Sequence, residues 1–128
     1  MDSEKKLAIR RYCDAVGKGD AEAINALTTE DYVHEFLGST VLRGKRSRSE
    51  LLDQLVAFSS ALAVPGEFVF QEMVEEGDIV SAMFSGKCEL VNGKRFDGDY
   101  AVFVHFKGDK IALMRELIDT KLADSVLA

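Results

Sequence analysis

The sequence contains no tryptophan, one proline, two histidines and two cysteines in 128 residues. Each scarcity excludes something. Cys13 and Cys88 stand far apart, with no Cys-x-x-Cys spacing and no Cys/His cluster. That pattern points to two buried free thiols in a reducing compartment, with a single disulfide as the alternative. His34 and His105 cannot form a multi-histidine metal site unaided. Gly17-Lys18-Gly19 lacks the longer glycine-rich spacing of a phosphate loop. No metal, nucleotide or other cofactor is therefore expected. No apolar run approaches the ~20 residues of a membrane span, and Met1-Asp2-Ser3-Glu4-Lys5-Lys6 lacks the apolar core of a signal peptide. The expectation is a soluble cytoplasmic protein that makes no membrane contact.

Basic charge is also short. Sixteen Lys and Arg against 22 Asp and Glu leave a net charge of −6, which argues against a nucleic-acid partner. The nearest thing to a basic stripe, Arg43, Lys45, Arg46 and Arg48, reads as a solvated loop and first helical turn. No Pro/Gly/Ser-rich linker, repeat or low-complexity segment divides the chain, so residues 1–128 are expected to form one domain. What is abundant is apolar: 47% of residues are hydrophobic and eight are Phe. Phe is therefore expected to line whatever cavity exists.

Ser3 can cap a first helix in which Ile9, Tyr12, Cys13 and Val16 share one face. Gly17-Lys18-Gly19-Asp20 ends that helix and starts a short second one, with Ala21, Ile24 and Leu27 inward. Tyr32 to Leu37 reads as a strand. Ser47-Arg48-Ser49-Glu50 is a capping box for a third helix, which Pro65-Gly66 breaks. Beyond Pro65 the period becomes two. Phe68 to Phe70, Ile79 to Val91, Phe96 to Phe106 and Lys110 to Ile118 read as strands separated by turn signals, Asn92-Gly93 among them. Helices first and an antiparallel meander afterwards specify an α+β protein with its helices on one face of the sheet.

This element order, with Arg11-Tyr12, Gly19-Asp20, Val33-His34-Glu35 and Met114-Arg115-Glu116 in their places, resembles the ketosteroid isomerase and SnoaL-like cyclase branch of the nuclear transport factor 2 superfamily. The resemblance covers nearly the whole chain. It implies a cone-shaped curved antiparallel sheet (a cystatin-like fold) with N-terminal helices packed on its concave face. It also implies a pocket for a hydrophobic small molecule.

Functional residues carry over unevenly. Tyr12 stands where steroid isomerases keep an oxyanion-donating tyrosine, and Glu35 where they keep a proton-shuttling carboxylate. Val102 stands where the second oxyanion donor belongs. Glu116 matches the last-strand carboxylate of limonene epoxide hydrolase and of the SnoaL-like cyclases, while Met83 and Ser85 replace the epoxide hydrolase Arg and Asp. The resemblance thus implies Tyr12, Glu35 and Glu116 as catalytic residues. Val16, Leu37, Leu55, Met83, Ser85, Val102, Val104, Met114 and Ile118 are the implied pocket residues.

Strand parity puts Glu116 between Met114 and Ile118, and Glu35 between Val33 and Leu37. A carboxyl enclosed by apolar groups is disfavoured as an anion, which suits it to moving a proton on and off carbon. The expected activity is a cofactor-free isomerase, dehydratase or cyclase; the alternative is a ligand-binding or dimeric interaction module of the same fold. Structural readings stand beside the chemical ones. Tyr12 can equally be a core tyrosine, and each glutamate can pair with a basic side chain. His34 is expected to face away from the pocket, but a register slip of one residue would exchange it with Glu35. Asp97, Asp99 and His105 are read as surface or interface residues. Ala101, Phe103, His105 and Leu117 form an apolar row on the outer sheet face, so homodimerisation through that face is expected.

Overall fold

Helix α1 (Glu4–Lys18) begins where the side chain of Ser3 accepts a hydrogen bond from the Lys6 amide. It ends at Gly19, whose φ of 67° is left-handed and strains any residue with a Cβ. Asp20 then caps helix α2 (Ala21–Leu27) by accepting from Ala23 N. The rest of the computed structural model, which describes residues 1–127, runs β1 (Thr28–Phe36), β2 (Gly44–Ser47), α3 (Arg48–Ser60), β3 (Glu67–Glu76), β4 (Ile79–Lys87), β5 (Gly98–Lys107), β6 (Lys110–Ile118) and α4 (Thr120–Leu127). The reciprocal capping box of Ser47 and Glu50 starts α3. Among the described residues no helix is long and apolar enough to cross a membrane.

The six strands form one open sheet in the order β2-β1-β6-β5-β4-β3. The meander β3 to β6 is antiparallel, as the period-two texture implies. The sheet as a whole is mixed, however, because β1 lies parallel to β6. A strand reached from β6 only through the helical half of the chain has no hairpin to force an antiparallel pairing. The ladders skip Gln71 of β3 and Ala112 of β6, and these irregularities bend the sheet.

Helices α1 and α3 lie on the concave side. Ile9 and Tyr12 of α1 and Leu51 of α3 share one buried cluster with Val80, Val102, Val104 and Met114. Each such aliphatic side chain stabilises the fold by about 1.5–3 kcal/mol on burial.

Two elements escape the sequence reading. Strand β2 has only four residues, and α4 follows immediately on β6. Asp119 caps α4 by accepting from Leu122 N, and Ala123 packs with Cys88 and Phe96 in a second small cluster. The β4 and β5 strands are also shorter than expected. Past Lys87 only isolated bridges follow, Leu62 with Leu90 and Glu89 with Arg95, and Cys88 N bonds the Asp97 carboxylate rather than a ladder carbonyl. The basic residues of the 43–48 segment are engaged structurally. Arg46 stacks over Phe36 at 4.9 Å and donates to Leu42 O, while Arg48 reaches the carbonyls of Asn25 and Thr28.

Candidate active site

Between the concave sheet face and helices α1 and α3 lies a cavity of about 370 Å³, toward the small end of the range for ligand sites. Its walls are mainly aromatic and aliphatic, including Phe36, Phe58, Phe68, Phe84 and Phe96. The polar groups are few: Tyr12, His34, Gln54, Tyr100 and Glu116, with the thiols of Cys13 and Cys88.

Strand β1 decides which of its polar residues enters the cavity. Even positions Tyr32, His34 and Phe36 are buried, and odd positions Val33 and Glu35 are not. The sequence offers both parities, because Val33 and Leu37 flank Glu35 as Tyr32 and Phe36 flank His34. Burying two aromatic rings, about 150–250 Å² each, outweighs burying one Val and one Leu. The strand therefore takes the register that brings His34 in, and Glu35 faces outward. Glu35 sits beside its parallel-ladder neighbour Arg115, whose Nε donates to Oε1 at 2.9 Å.

His34 is 3% exposed and sits at the centre of a hydrogen-bonded chain. Its Nε2 is 2.9 Å from Glu116 Oε1, and its Nδ1 is 2.8 Å from the Tyr32 hydroxyl. The Tyr32 hydroxyl is in turn 2.9 Å from that of Tyr12, which also approaches Nδ1 at 3.4 Å. With Glu116 ionised and the imidazole neutral, Nε2–H donates to the carboxylate and Nδ1 accepts. Tyr32 then donates to Nδ1, and Tyr12 donates to Tyr32. No described residue hydrogen-bonds the second carboxylate oxygen, Oε2 of Glu116, and Glu116 lines the cavity.

Burial pushes the Tyr12 phenol far above the ordinary tyrosine range. The Glu116 charge adds to that shift. Burial likewise raises Tyr32 and Tyr100. The Cys13 thiol is raised by burial and by Glu116, and the Cys88 thiol by burial and then by Asp97. Both cysteines are free, and as protonated thiols they are poor nucleophiles.

Of the residues singled out in the sequence, Tyr12, Val16, Leu55, Met114, Glu116 and Ile118 do line the cavity. Glu35 does not, for the reason of parity just given, and Leu37 lies past the end of β1, also off the wall. Met83 is 48% exposed, because the inward positions of β4 are Ala82 and Phe84. Ser85 shares the outward parity of Met83 and bonds Gln71 and Asp99 there. Val102 and Val104 face the concave side but are sealed into the core with Ile9 and Tyr12, away from the cavity. The sequence reading held His34 only as the alternative to Glu35, and the structure takes that alternative; it missed Tyr32 and Tyr100. Tyr100 carried a usable signal: it has the same parity as Val102 and Val104.

No curated protein matches the sequence. Among solved structures, a nuclear transport factor 2-like protein of unknown function from Burkholderia pseudomallei superposes with a TM-score of 0.80, at 15% identity, over 99% of this chain and 100% of its own. TerC co-crystallised with polyporic acid gives a TM-score of 0.77 at 19% identity, over 93% and 94%. A candidate polyketide cyclase from Acidithiobacillus ferrooxidans gives 0.75 at 15%, over 100% and 99%. At such identities the likeness is one of fold. The sequence itself matches the SnoaL-like domain across residues 9–114, and the chain belongs to that family.

Proposed function

We propose that the protein is a cofactor-free enzyme that moves a proton on and off carbon in a hydrophobic carbonyl compound, as an isomerase, dehydratase or cyclase does. One observation carries the reading. Glu116 lines an apolar cavity with one carboxylate oxygen held by His34 at 2.9 Å and no described residue bonded to the other. That second oxygen is left available to whatever occupies the cavity, where a positioned carboxylate can act as a base.

In this mechanism Glu116 Oε2 takes a proton from the carbon beside the carbonyl and later returns it to the same carbon or to a conjugated one. His34 fixes the carboxylate's direction as a positioning residue, and Tyr32 and Tyr12 fix the imidazole. Tyr12 therefore acts through His34, because its own proton is engaged by Tyr32. The mainly apolar walls bind the substrate's carbon skeleton and exclude water. Two of the related folds are consistent with that ligand class: TerC was crystallised with polyporic acid, and another relative is a candidate polyketide cyclase.

The test is hydrogen–deuterium exchange at the acidic carbons of 2-tetralone, a compact apolar ketone, followed by NMR. The protein should accelerate exchange over buffer with no metal or nucleotide added. A bound ketone exchanging only at the buffer rate would leave a ligand carrier rather than an enzyme.

A further inference from the structure

The cavity has a definable mouth. Among the described residues that line it, only Ala57 of α3 and Leu127 of α4 are exposed, Leu127 by 38%. The opening to water therefore lies between those two helices, and their separation sets its width.

The two sides of the mouth are fastened differently. Helix α3 starts at the Ser47–Glu50 capping box and buries Leu51 in the main core. Helix α4 contributes nothing to that core. Its Leu122, Ala123 and Val126 pack only in the second, smaller cluster, with Cys88, Phe96 and Ile118. A segment with few buried apolar contacts opens more readily than the core it rests on.

One side chain of α4 ties it to the body of the protein. Asp124 Oδ1 accepts from the Thr40 hydroxyl at 2.7 Å and from Val41 N at 3.0 Å. Among the described residues, no other side-chain hydrogen bond joins α4 to a segment outside its own cap. The same Thr40 hydroxyl accepts from Leu42 N at 3.3 Å, and Leu42 lines the cavity. The loop between β1 and β2 is shaped to meet the helix. Gly38 has a left-handed φ of 89°, and a Cβ there would lie 3.0 Å from Thr120 Cγ2. Helix, carboxylate and cavity wall are thus connected.

From this geometry we infer that α4 is a hinged door on the cavity, latched by Asp124 and turning at Asp119, where β6 gives way to the helix. Opening breaks the bonds to Thr40 and Val41, lifts Leu127 away from Ala57 and admits a small apolar molecule. Closing restores both donors to the carboxylate and covers what has entered. The inference concerns access alone and holds whether or not Glu116 does acid/base chemistry.

The test uses the two native thiols, Cys13 and Cys88, which are buried, free and on the cavity wall. Methyl methanethiosulfonate, small and uncharged, reaches them either through an opened mouth or by unfolding of the chain. Labelling rates followed by mass spectrometry across a urea series separate these routes, because sensitivity to urea scales with the surface exposed. Labelling through the door should rise only shallowly with urea. Asp124→Ala should speed it roughly 10- to 100-fold, the size of a hydrogen bond to a charged group. Thr40→Val, which removes one of the two donors, should speed it by less. A urea dependence as steep as that of global unfolding would show that no door opens and would overturn the inference. Shallow labelling that neither substitution moves would place the opening elsewhere and overturn the assignment to α4.

Discussion

Two acid–base pairs sit back to back on the same two strands. Inside, His34 meets Glu116 at 2.9 Å; outside, Arg115 meets Glu35 at 2.9 Å. The residues are adjacent in sequence, 34 beside 35 and 115 beside 116, and β1 and β6 carry both pairs in parallel register. Only the side of the sheet differs. The outer pair lies among water and exposed side chains, with Arg115 about half exposed, where Coulomb attraction is screened. The inner pair has an apolar cavity on one side and two phenols on the other. Identical distance therefore says little about function; the dielectric around the pair decides how strongly its charges are screened.

The largest expected difference between the two sides is at high pH. All three tyrosines are on the inner side with their phenols raised by burial. A group whose folded pKa lies above its unfolded value favours folding below the unfolded value, about 10 for tyrosine, and loses that contribution as pH rises beyond it. Tyrosinate absorbance should therefore appear only together with loss of the circular dichroism signal. A tyrosine that ionises near pH ~10 in the folded protein would show that the inner side is wet.

Next is His34→Ala. It leaves the Glu116 carboxylate facing an apolar cavity without its partner and should cost about 3–5 kcal/mol in urea unfolding. Arg115→Ala removes the matching outer partner and should cost no more than about 1 kcal/mol. Equal losses would erase the distinction drawn between the faces.

The smallest effect on the fold itself is expected at Phe103, which is 52% exposed on the outer face near Leu117, itself 49% exposed. We propose that a second copy of the chain covers this row. Phe103→Glu should leave the urea midpoint nearly unchanged while shifting the sedimenting species from dimer to monomer. A wild-type monomer at micromolar concentration would contradict the proposal.

The sequence makes the α+β architecture legible because its signals are local: the Ser47–Glu50 capping box, the left-handed glycine at 19, and alternation in the strands. Glu116 was legible for the same reason, since β6 offers one parity with Met114 and Ile118 on its side. In β1 both parities look apolar, and the choice between His34 and Glu35 rests on which aromatic rings the helices cover, a tertiary fact. The Tyr12–Tyr32–His34 chain is likewise invisible along the sequence, because Tyr12 comes from α1 and the other two from β1. The parallel pairing of β1 with β6 depends on contacts between distant segments and leaves no periodic signature, whereas α4 carried one that went unread, Leu122, Ala123 and Val126 on one face behind the Asp119 cap.

The most direct measurement of the central claim compares the two glutamates that the sequence cannot rank. Deuterium exchange into 2-tetralone should fall roughly 100- to 10,000-fold in Glu116→Gln, the usual contribution of a positioned acid or base. It should be unchanged in Glu35→Gln, with both variants melting close to the wild type. A loss in Glu35→Gln with Glu116→Gln fully active would place the chemistry on the outer face of the sheet and contradict the account.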